Sequence, residues 1–180
     1  MIDNDFFNAM NDRSNVVSFK QDIYPSKNKI DELIKESIEI APVKNNIYHY
    51  NIEVWGPEFV EEKNKLLSPM QDNNKQVEAP YLLVFKKSMN HFNKRNFTGN
   101  NREIAAMGAI LQGYVISVLA NKNNIQASFC ACFKDEKPNL SKIVKTRKEF
   151  YFMLGLGYVD KKARFNLAKP KLDEIRKWND

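Results

Sequence analysis

The apolar segment from Glu103 to Asn121 constrains the fold more than any other part of the chain. Small and apolar residues cover nearly the whole circumference of a helix over this range. Such a helix must be buried on most sides, so we expect it in the core, with a partner subunit covering one face. A membrane span is the alternative, but Gln112 and Ser117 interrupt the run and no aromatic or basic belt flanks it. We therefore expect no membrane partner.

Chain length and charge limit the number of domains and the class of partner. The 180 residues, 43% of them hydrophobic, suffice for one sizeable core and are too few for two, so we predict one domain over residues 1–180. The formal charge is +6, but the 28 basic residues are balanced by 22 acidic ones spread along the chain. This is a weak indication of nucleic-acid binding, so no nucleic-acid partner is expected. A nucleic-acid binder that uses the aromatic and basic residues of 86–102 is kept as an alternative.

The cysteines and histidines exclude several kinds of site. Cys130 and Cys132 are separated by one residue, a spacing typical of neither a disulfide scaffold nor a Cys-x-x-Cys pair. His49 and His91 have no second ligand at helical spacing, so no metal site is expected. The scarcity of cysteine fits a reducing setting, and residues 1–11 have neither the basic start nor the apolar run of a secretory signal. We expect a cytoplasmic protein.

The remaining sequence predicts alternating helices and strands without a repeat. The apolar run from Ala79 to Phe85 is typical of a central strand, and the alternation from Tyr48 to Val54 is typical of a half-buried one. Residues 86–102 are basic and Asn-rich, and they predict a long loop that forms a lid or a pocket wall. Further strands are predicted at 127–133 and 151–159, and further helices at 3–12, 58–67, 139–149 and 172–178.

The polar loop from Ala41 to Tyr50 follows a helix that ends before Pro42. Apolar residues recur at three- and four-residue steps from Ile30 onward, and Pro42 biases Ala41 away from helical backbone angles. Pro25-Ser26 marks the start of this helix. The loop crowds polar and aromatic groups together, as ligand-binding loops do, although an ordinary connection has the same composition.

Two cations near the end of the chain, Lys162 and Arg164, follow a predicted strand. Their spacing lets both bind one phosphate, with Arg164 as a planar fork and Lys162 as a point charge. A solvated basic loop is the alternative. Arg13 and Ser14 supply a third cation and a hydroxyl donor near the other end. The sequence has neither Gly-x-Gly-x-x-Gly nor a Walker loop, so a phosphate would be held mainly by side chains.

Several motifs, in their order along the chain, resemble the nitroreductase family of FMN-dependent oxidoreductases. They are Arg13-Ser14, Ala41-Pro42-x-x-x-Asn46-x-Tyr48-x-Tyr50, Glu78-Ala79-Pro80, the apolar helix from Glu103, Gly157-Tyr158 and Lys162-Ala163-Arg164. The resemblance runs from about Asp12 to Trp178. It implies an α+β, nitroreductase-like fold with a central, mostly antiparallel sheet flanked by helices. It also implies an intertwined homodimer that binds FMN at the subunit interface.

The activity implied by this resemblance is that of an NAD(P)H:acceptor oxidoreductase. Electrons would pass from NAD(P)H through the bound flavin to a small electron-poor acceptor, such as a nitro compound, quinone, enone or flavin, by a ping-pong mechanism. In such enzymes the protein supplies binding, orientation and electrostatics while the cofactor carries the hydride. The resemblance therefore implies no catalytic side chain.

The resemblance also assigns individual residues to the cofactor site. Arg13, Ser14, Lys162 and Arg164 would hold the FMN phosphate and the ribityl chain. Asn46 would reach the flavin from the neighbouring subunit. The other implied cofactor-binding residues are Val43 and Lys44 of the same loop, Asn74 and Lys75 near the isoalloxazine, and Cys130, Ala131 and Cys132 beside the flavin N5, chiefly through backbone groups.

Four departures from the family pattern support a second interpretation. Val43 stands where Ser is usual, and Ala131 stands where one large subgroup has Glu. Tyr48-His49-Tyr50 replaces Gln-Pro-Trp, and Asn15, Val16 and Val17 replace a second N-terminal cation. The alternative is a nitroreductase-fold protein that has lost flavin and serves as a binding or structural module.

Overall fold

Strands and helices alternate along the described chain from residue 15 to residue 130, and two more described strands follow. The structure is a computed structural model, and it describes residues 15–43, 48, 50–67, 78–88, 101–130, 150–163, 171 and 176. A single 3₁₀ turn at Pro57–Phe59 precedes the second helix. The helices and strands are β1 (Asn15–Phe19), α1 (Lys27–Ile40), β2 (Tyr50–Trp55), α2 (Val60–Leu67), β3 (Tyr81–Lys87), α3 (Asn101–Lys122), β4 (Gln126–Cys130), β5 (Phe150–Gly157) and β6 (Val159–Ala163).

The strands form two antiparallel sheets. One has four strands in the order β2-β3-β5-β4, and the other pairs β1 with β6. The strand predicted at Ala79–Phe85 is confirmed as β3, and it has a hydrogen-bonded neighbour on each side. The five residues from Tyr81 to Phe85 are all buried. This is the arrangement that a continuous apolar run predicts, because both faces of a central strand are covered.

Helix α3 packs on the four-stranded sheet and confirms the long apolar helix. Gly113 faces β5 so closely that a Cβ there would lie 2.5 Å from Cζ of Phe152. The helix therefore needs glycine at this position to approach the sheet. Within the described residues, α3 is the helix whose length and apolar character would suffice to cross a membrane, and half of its residues between Glu103 and Lys122 are buried inside the protein. That burial is typical of a core helix.

Helix α1 has the caps that its sequence predicts. The Ser26 hydroxyl accepts a hydrogen bond from the Lys29 amide at 3.2 Å, satisfying a backbone donor of the first turn. At the other end Ala41 is extended, with ψ of 127°, and its amide donates to the Ser37 carbonyl. The predicted end of the helix before Pro42 is confirmed.

The pairing of β1 with β6, here called the β1–β6 ribbon, differs from the sequence prediction. Residues 160–164 were predicted to lie between a strand and a helix, with a solvated basic loop as the alternative, and no strand was predicted near Asn15. The ribbon is short, its register shifts twice, and the Ser18 hydroxyl donates across it to Asp160 at 3.1 Å. Val16 and Phe19 pack on Ala79. The spacing of three residues between Val16 and Phe19 does not follow the period of two that predicts a strand.

Other predicted elements are shifted at their ends or lie outside the described residues. The helix predicted at 58–67 is confirmed as the 3₁₀ turn followed by α2. The strands predicted at 127–133 and 151–159 correspond to β4 and β5. The helices predicted at 3–12, 139–149 and 172–178 contain no described segment, and most of the predicted loop at 86–102 also lies outside.

Candidate functional site

The two ends of the predicted cofactor loop both contact α3 beside Gly108. Val43 and Tyr50 are buried, and each packs on the same helical turn. A Cβ on Gly108 would lie 3.5 Å from Cγ1 of Val43 and 3.4 Å from Cε1 of Tyr50. Residues 44–47 and His49 lie outside the described chain, so the structure defines the ends of the loop.

A buried chain of hydrogen bonds ties Tyr50 to both large helices. The Tyr50 hydroxyl donates to Oε1 of Gln112 at 2.5 Å, and Nε2 of Gln112 donates to the Ser37 hydroxyl at 2.9 Å. Ser37 in turn donates to the carbonyl of Ile34 at 2.6 Å. Burial raises the pKa of the Tyr50 hydroxyl well above its usual value, with a further contribution from Tyr48, so the hydroxyl remains a donor at neutral pH. Gln112, which interrupts the apolar helix, thus has both its amide oxygen and its amide nitrogen hydrogen-bonded.

An aromatic row crosses the four-stranded sheet beneath α3. Its ring centroids are 5.8 Å apart from Tyr48 to Tyr50, 6.1 Å from Tyr50 to Phe85, 4.2 Å from Phe85 to Phe152, and 5.7 Å from Phe152 to Phe129. Aromatic pairs at these separations add packing energy beyond their buried area. The row ends at Phe129, which is 41% exposed and precedes Cys130. It therefore connects the start of β2 with the end of β4, the two strand ends next to predicted flavin contacts.

The β1–β6 ribbon brings together the chain segments that carry the predicted phosphate ligands. Asn15 pairs with Ala163, and Val16 pairs with Lys162. Arg13-Ser14 directly precedes one end of this pair, and Arg164 directly follows the other. Sequence reasoning let Lys162 and Arg164 share one phosphate by their spacing, and the resemblance added Arg13 and Ser14. The register places Asn15 and Ala163, the described neighbours of these residues in sequence, side by side in antiparallel strands, and the shared site stays a prediction.

Two motifs of the resemblance, Glu78-Ala79-Pro80 and Gly157-Tyr158, meet where the ribbon joins the sheet. A Cβ on Gly157 would lie 2.6 Å from Cδ of Pro80 and 2.9 Å from Cδ1 of Phe19. The amide of Lys20 donates to the carbonyl of Tyr158 at 2.8 Å. Gly157 is therefore required by close approach. We call the contact among Phe19, Pro80, Gly157 and Lys63 the Pro80 corner.

Lys63 is the buried cation of the Pro80 corner, and the sequence analysis missed it. It is 3% exposed, and its Nζ donates to the carbonyls of Ala79 at 3.0 Å and Pro80 at 2.8 Å. Burial lowers its pKa to about 8, opposed by the nearby carboxylate of Glu58. A pocket of about 250 Å³ opens beside it, lined by Gln21, Val60, Lys63, Asn64 and Glu78. Lysine is usually exposed, so no sequence signal distinguishes this one from its neighbours.

The opposite side of α3 carries exposed apolar side chains. Met107 is 63% exposed, Ile110 53% and Leu111 39%. They recur at three- and four-residue steps and therefore form one stripe along the helix, here called the apolar stripe. The sequence predicted burial on most sides with a partner subunit over one face. In the single chain this stripe is the open face, and a partner subunit over it stays a prediction.

The structure describes few of the predicted cofactor-binding residues. The Val43 side chain is described, as is the backbone of Cys130, paired with Met153, and of Lys162. Their roles in binding flavin stay predictions. The remaining predicted site residues lie outside the described chain: Arg13, Ser14, Lys44, Asn46, Asn74, Lys75, Ala131, Cys132 and Arg164.

Comparison with known proteins identifies the fold. No family model matches the sequence, and no curated protein matches it significantly. Among solved structures, the chain is similar to a candidate NAD(P)H:FMN oxidoreductase of Staphylococcus epidermidis, with a TM-score of 0.78, 16% identity, and coverage of 98% of this chain and 97% of that one. It is also similar to CLA-ER, an enone reductase of gut-bacterial fatty acid saturation, with a TM-score of 0.75, 15% identity and 99% coverage of both chains.

A third similar structure was solved with a bound flavin. It is a candidate nitroreductase in complex with FMN from Exiguobacterium sibiricum, with a TM-score of 0.77, 12% identity and 97% coverage of both chains. At these identities the similarity establishes the fold. The resemblance stated from the sequence motifs is confirmed at that level, and the chain has the α+β nitroreductase-like fold.

Proposed function

We propose that this protein is a cytoplasmic, homodimeric, FMN-dependent oxidoreductase. It would take electrons from NAD(P)H and pass them in ping-pong order to a small electron-poor acceptor, such as a nitro compound, quinone, enone or flavin. The observation that carries the proposal is the register of the β1–β6 ribbon. That register pairs Asn15 with Ala163 and Val16 with Lys162, the described neighbours in sequence of Arg13-Ser14 and Arg164, within a fold shared with proteins named as FMN oxidoreductases.

The residue types at the ribbon end suit the FMN phosphate. Two arginines and a lysine offer planar forks and a point charge, and Ser14 adds a hydroxyl donor. Val43 is buried against α3, so at this loop position the chain offers only backbone groups. Bound FMN would supply the hydride chemistry, and the chain's residues bind it, orient it and exclude water.

The apolar stripe supports a homodimer. Met107, Ile110 and Leu111 lie on a helix whose other face is buried in the protein core. Contiguous exposed apolar side chains on one helix face are characteristic of an interface, and closed two-fold dimers are the commonest oligomers. A second copy of the chain would bury the stripe and bring the loop after Val43 close to its neighbour's flavin.

Flavin occupancy tests the proposal directly. The protein is purified with added FMN, freed of unbound cofactor, and its visible absorbance is compared with its concentration. We expect close to one flavin per chain, and a thermal midpoint that rises with FMN, because saturation at a hundred times Kd stabilises the native state by about 2.7 kcal/mol. Absence of bound flavin together with an unchanged midpoint would overturn the proposal.

One observation favours a second candidate, a nitroreductase-fold protein without flavin that acts as a binding or structural module. Val43, where the family has Ser, has its side chain buried against Gly108 and has no hydroxyl to offer a ligand. The same measurement separates the two candidates. A folded, dimeric protein with no flavin and no response to FMN would establish the second.

A further inference from the structure

A pocket lies where α2 meets the Pro80 corner. It has a volume of about 250 Å³ and is lined by five residues: Gln21, Val60, Lys63, Asn64 and Glu78. At about 30 Å³ per water molecule this space would hold about eight waters, and pockets for drug-sized ligands begin at about 300 Å³. The pocket therefore suits a small metabolite and not a nucleotide.

The Lys63 ammonium group brings an unused hydrogen-bond donor to this pocket. An ammonium group has three N–H donors. Two of them donate to the carbonyls of Ala79 and Pro80, and within the described part of the chain the third has no acceptor. The side chain is buried, and although burial lowers its pKa to about 8, it is still charged at pH 7. A buried donor without an acceptor costs free energy, so we expect the pocket to hold an acceptor for it.

Other residues of the lining supply acceptors. Nε2 of Gln21 donates to the carbonyls of Phe19 at 3.0 Å and of Glu78 at 3.1 Å. These two bonds use both N–H donors of the amide and leave its carbonyl oxygen as an acceptor. Glu78 adds a carboxylate, which can accept several hydrogen bonds at once. The pocket therefore combines a positively charged donor with acceptors, one of which is negatively charged.

The charges around the pocket disfavour both a simple anion and a simple cation. An anion paired with Lys63 would lie near the carboxylates of Glu78 and of Glu58, which already acts electrostatically on Lys63. A cation would lie near the buried ammonium group. A molecule that carries both charges a few bonds apart avoids both repulsions.

We propose that this pocket binds a free α-amino acid. The carboxylate of the ligand accepts the third N–H of Lys63, and its ammonium group donates to Glu78 and to the carbonyl oxygen of Gln21. Charge-assisted hydrogen bonds at both ends fix the orientation of the ligand. The proposal is independent of flavin, because none of the residues that line the pocket belongs to the predicted cofactor site.

A panel of the protein amino acids at pH 7 tests the proposal. The thermal midpoint of the purified protein is measured with each one, and Kd of the most stabilising one is measured by titration calorimetry. We expect at least one to raise the midpoint, because a ligand bound only by the native state stabilises it. The matching acid without the amino group, and the matching amine without the carboxylate, should each bind about tenfold more weakly or worse. A midpoint that no amino acid changes, as for a pocket that holds only water, would overturn the proposal, as would equal binding of the acid or the amine.

Two variants locate the binding in the pocket. Lys63→Met keeps the length of the side chain and removes the ammonium group, so Kd should rise about tenfold or more. Val60 is 52% exposed, so Val60→Phe should fill the pocket without disturbing the core, and it should abolish binding. Lys35→Met, at an exposed lysine of α1, is the control and should keep Kd within about twofold of wild type.

Denaturant titration shows whether each variant is folded before its Kd is compared. Should Lys63→Met not fold, Val60→Phe decides alone, because it changes a side chain at the surface. An amino acid that binds the folded variants as tightly as wild type is bound elsewhere on the protein, and that result contradicts the proposal.

Discussion

The four-stranded sheet under α3 and the Pro80 corner are held together in different ways. The centre of the sheet is apolar, and the ring centroids of Phe85 and Phe152 are 4.2 Å apart. Helix α3 packs on Phe152 at Gly113. In the Pro80 corner, the absence of a side chain at Gly157 lets the Pro80 ring pack against its backbone. The buried ammonium group of Lys63 donates hydrogen bonds to two backbone carbonyls. Among the described residues of these two regions, Lys63 is the charged side chain that is fully buried.

The difference shows where stability and site geometry come from. Burial of apolar rings in the sheet is non-directional and supplies most of the free energy of folding. Hydrogen bonds at the corner contribute little net free energy, but they fix the orientation of the backbone. They do so where the β1–β6 ribbon, which carries predicted phosphate ligands, joins the sheet. Substitutions in the two regions should therefore differ in magnitude and in pH dependence.

The largest effect is expected at the centre of the sheet. Phe152→Ala should lower the free energy of unfolding by about 4 kcal/mol, because it removes a ring stacked between Phe85 and Phe129 and leaves a cavity under α3. Denaturant titration measures it. Phe129→Ala is the control, since Phe129 is partly exposed, and it should cost less than half as much. Equal losses of stability in Phe152→Ala and Phe129→Ala would show that the Phe152 ring contributes no more to the core than the partly exposed Phe129.

A smaller loss is expected at the Pro80 corner. Gly157→Ala places a methyl group within 2.6 Å of Pro80 and 2.9 Å of Phe19, and it should cost about 2 kcal/mol through overpacking. Gly108→Ala is the matched control, because its new methyl would meet Tyr50 and Val43 at ordinary contact distances. The helix propensity of alanine should make that control neutral or stabilising. The comparison fails if both glycines tolerate alanine equally well.

A last effect, no larger than the loss at Gly157, distinguishes the charge of the corner from its packing. The Lys63 pKa is lowered to about 8 in the folded protein, below its unfolded value of 10.5. Between pH 8 and pH 10 the unfolded chain therefore binds more protons at this residue, and stability rises with pH. We expect a gain of about 2 kcal/mol over that range, which is the part of the full shift that falls between these two pH values.

The rise is measured as the difference between wild type and Lys63→Met in denaturant titrations at each pH. Burial raises the pKa values of Tyr50 and Tyr81, so their contribution to stability falls as the pH passes 10, the usual pKa of tyrosine, and this fall is common to both proteins. Lys35→Met, at an exposed lysine of α1, is the control and should keep the wild-type rise. If stability still rises between pH 8 and pH 10 in Lys63→Met, the rise comes from groups other than Lys63.

The parts of the fold that the sequence predicted are those with a strong hydrophobic period. The central strand β3 and the helices α1 and α3 could be located because apolar residues repeat over many positions and Pro42 marks an end. The β1–β6 ribbon could not, because its partners lie at opposite ends of the chain and its register depends on tertiary packing. Local patterns contain no information on such pairing.

The site was less predictable than the fold. The motif resemblance nominated twelve cofactor-binding residues, of which Val43 alone has a described side chain. The resemblance could not reveal Gln112 or Lys63, because a polar residue in a helix normally indicates an exposed face. Their importance depends on which carbonyl or hydroxyl is placed opposite, and only the folded chain defines that.

The β1–β6 ribbon also has a kinetic consequence. Pairing Asn15 with Ala163 closes a loop that contains nearly all of the described chain. Closing so long a loop costs chain entropy before the strand pairing can contribute any stabilising free energy. We therefore expect the ribbon to form last during folding, after β3 and β5 have shortened the path between its strands. Pulse-labelled hydrogen exchange during refolding would show late protection of Val16 and Lys162, and early protection there would contradict this order. The predicted phosphate ligands would then come together only after the rest of the chain has folded. A partly folded chain would therefore not bind the proposed FMN.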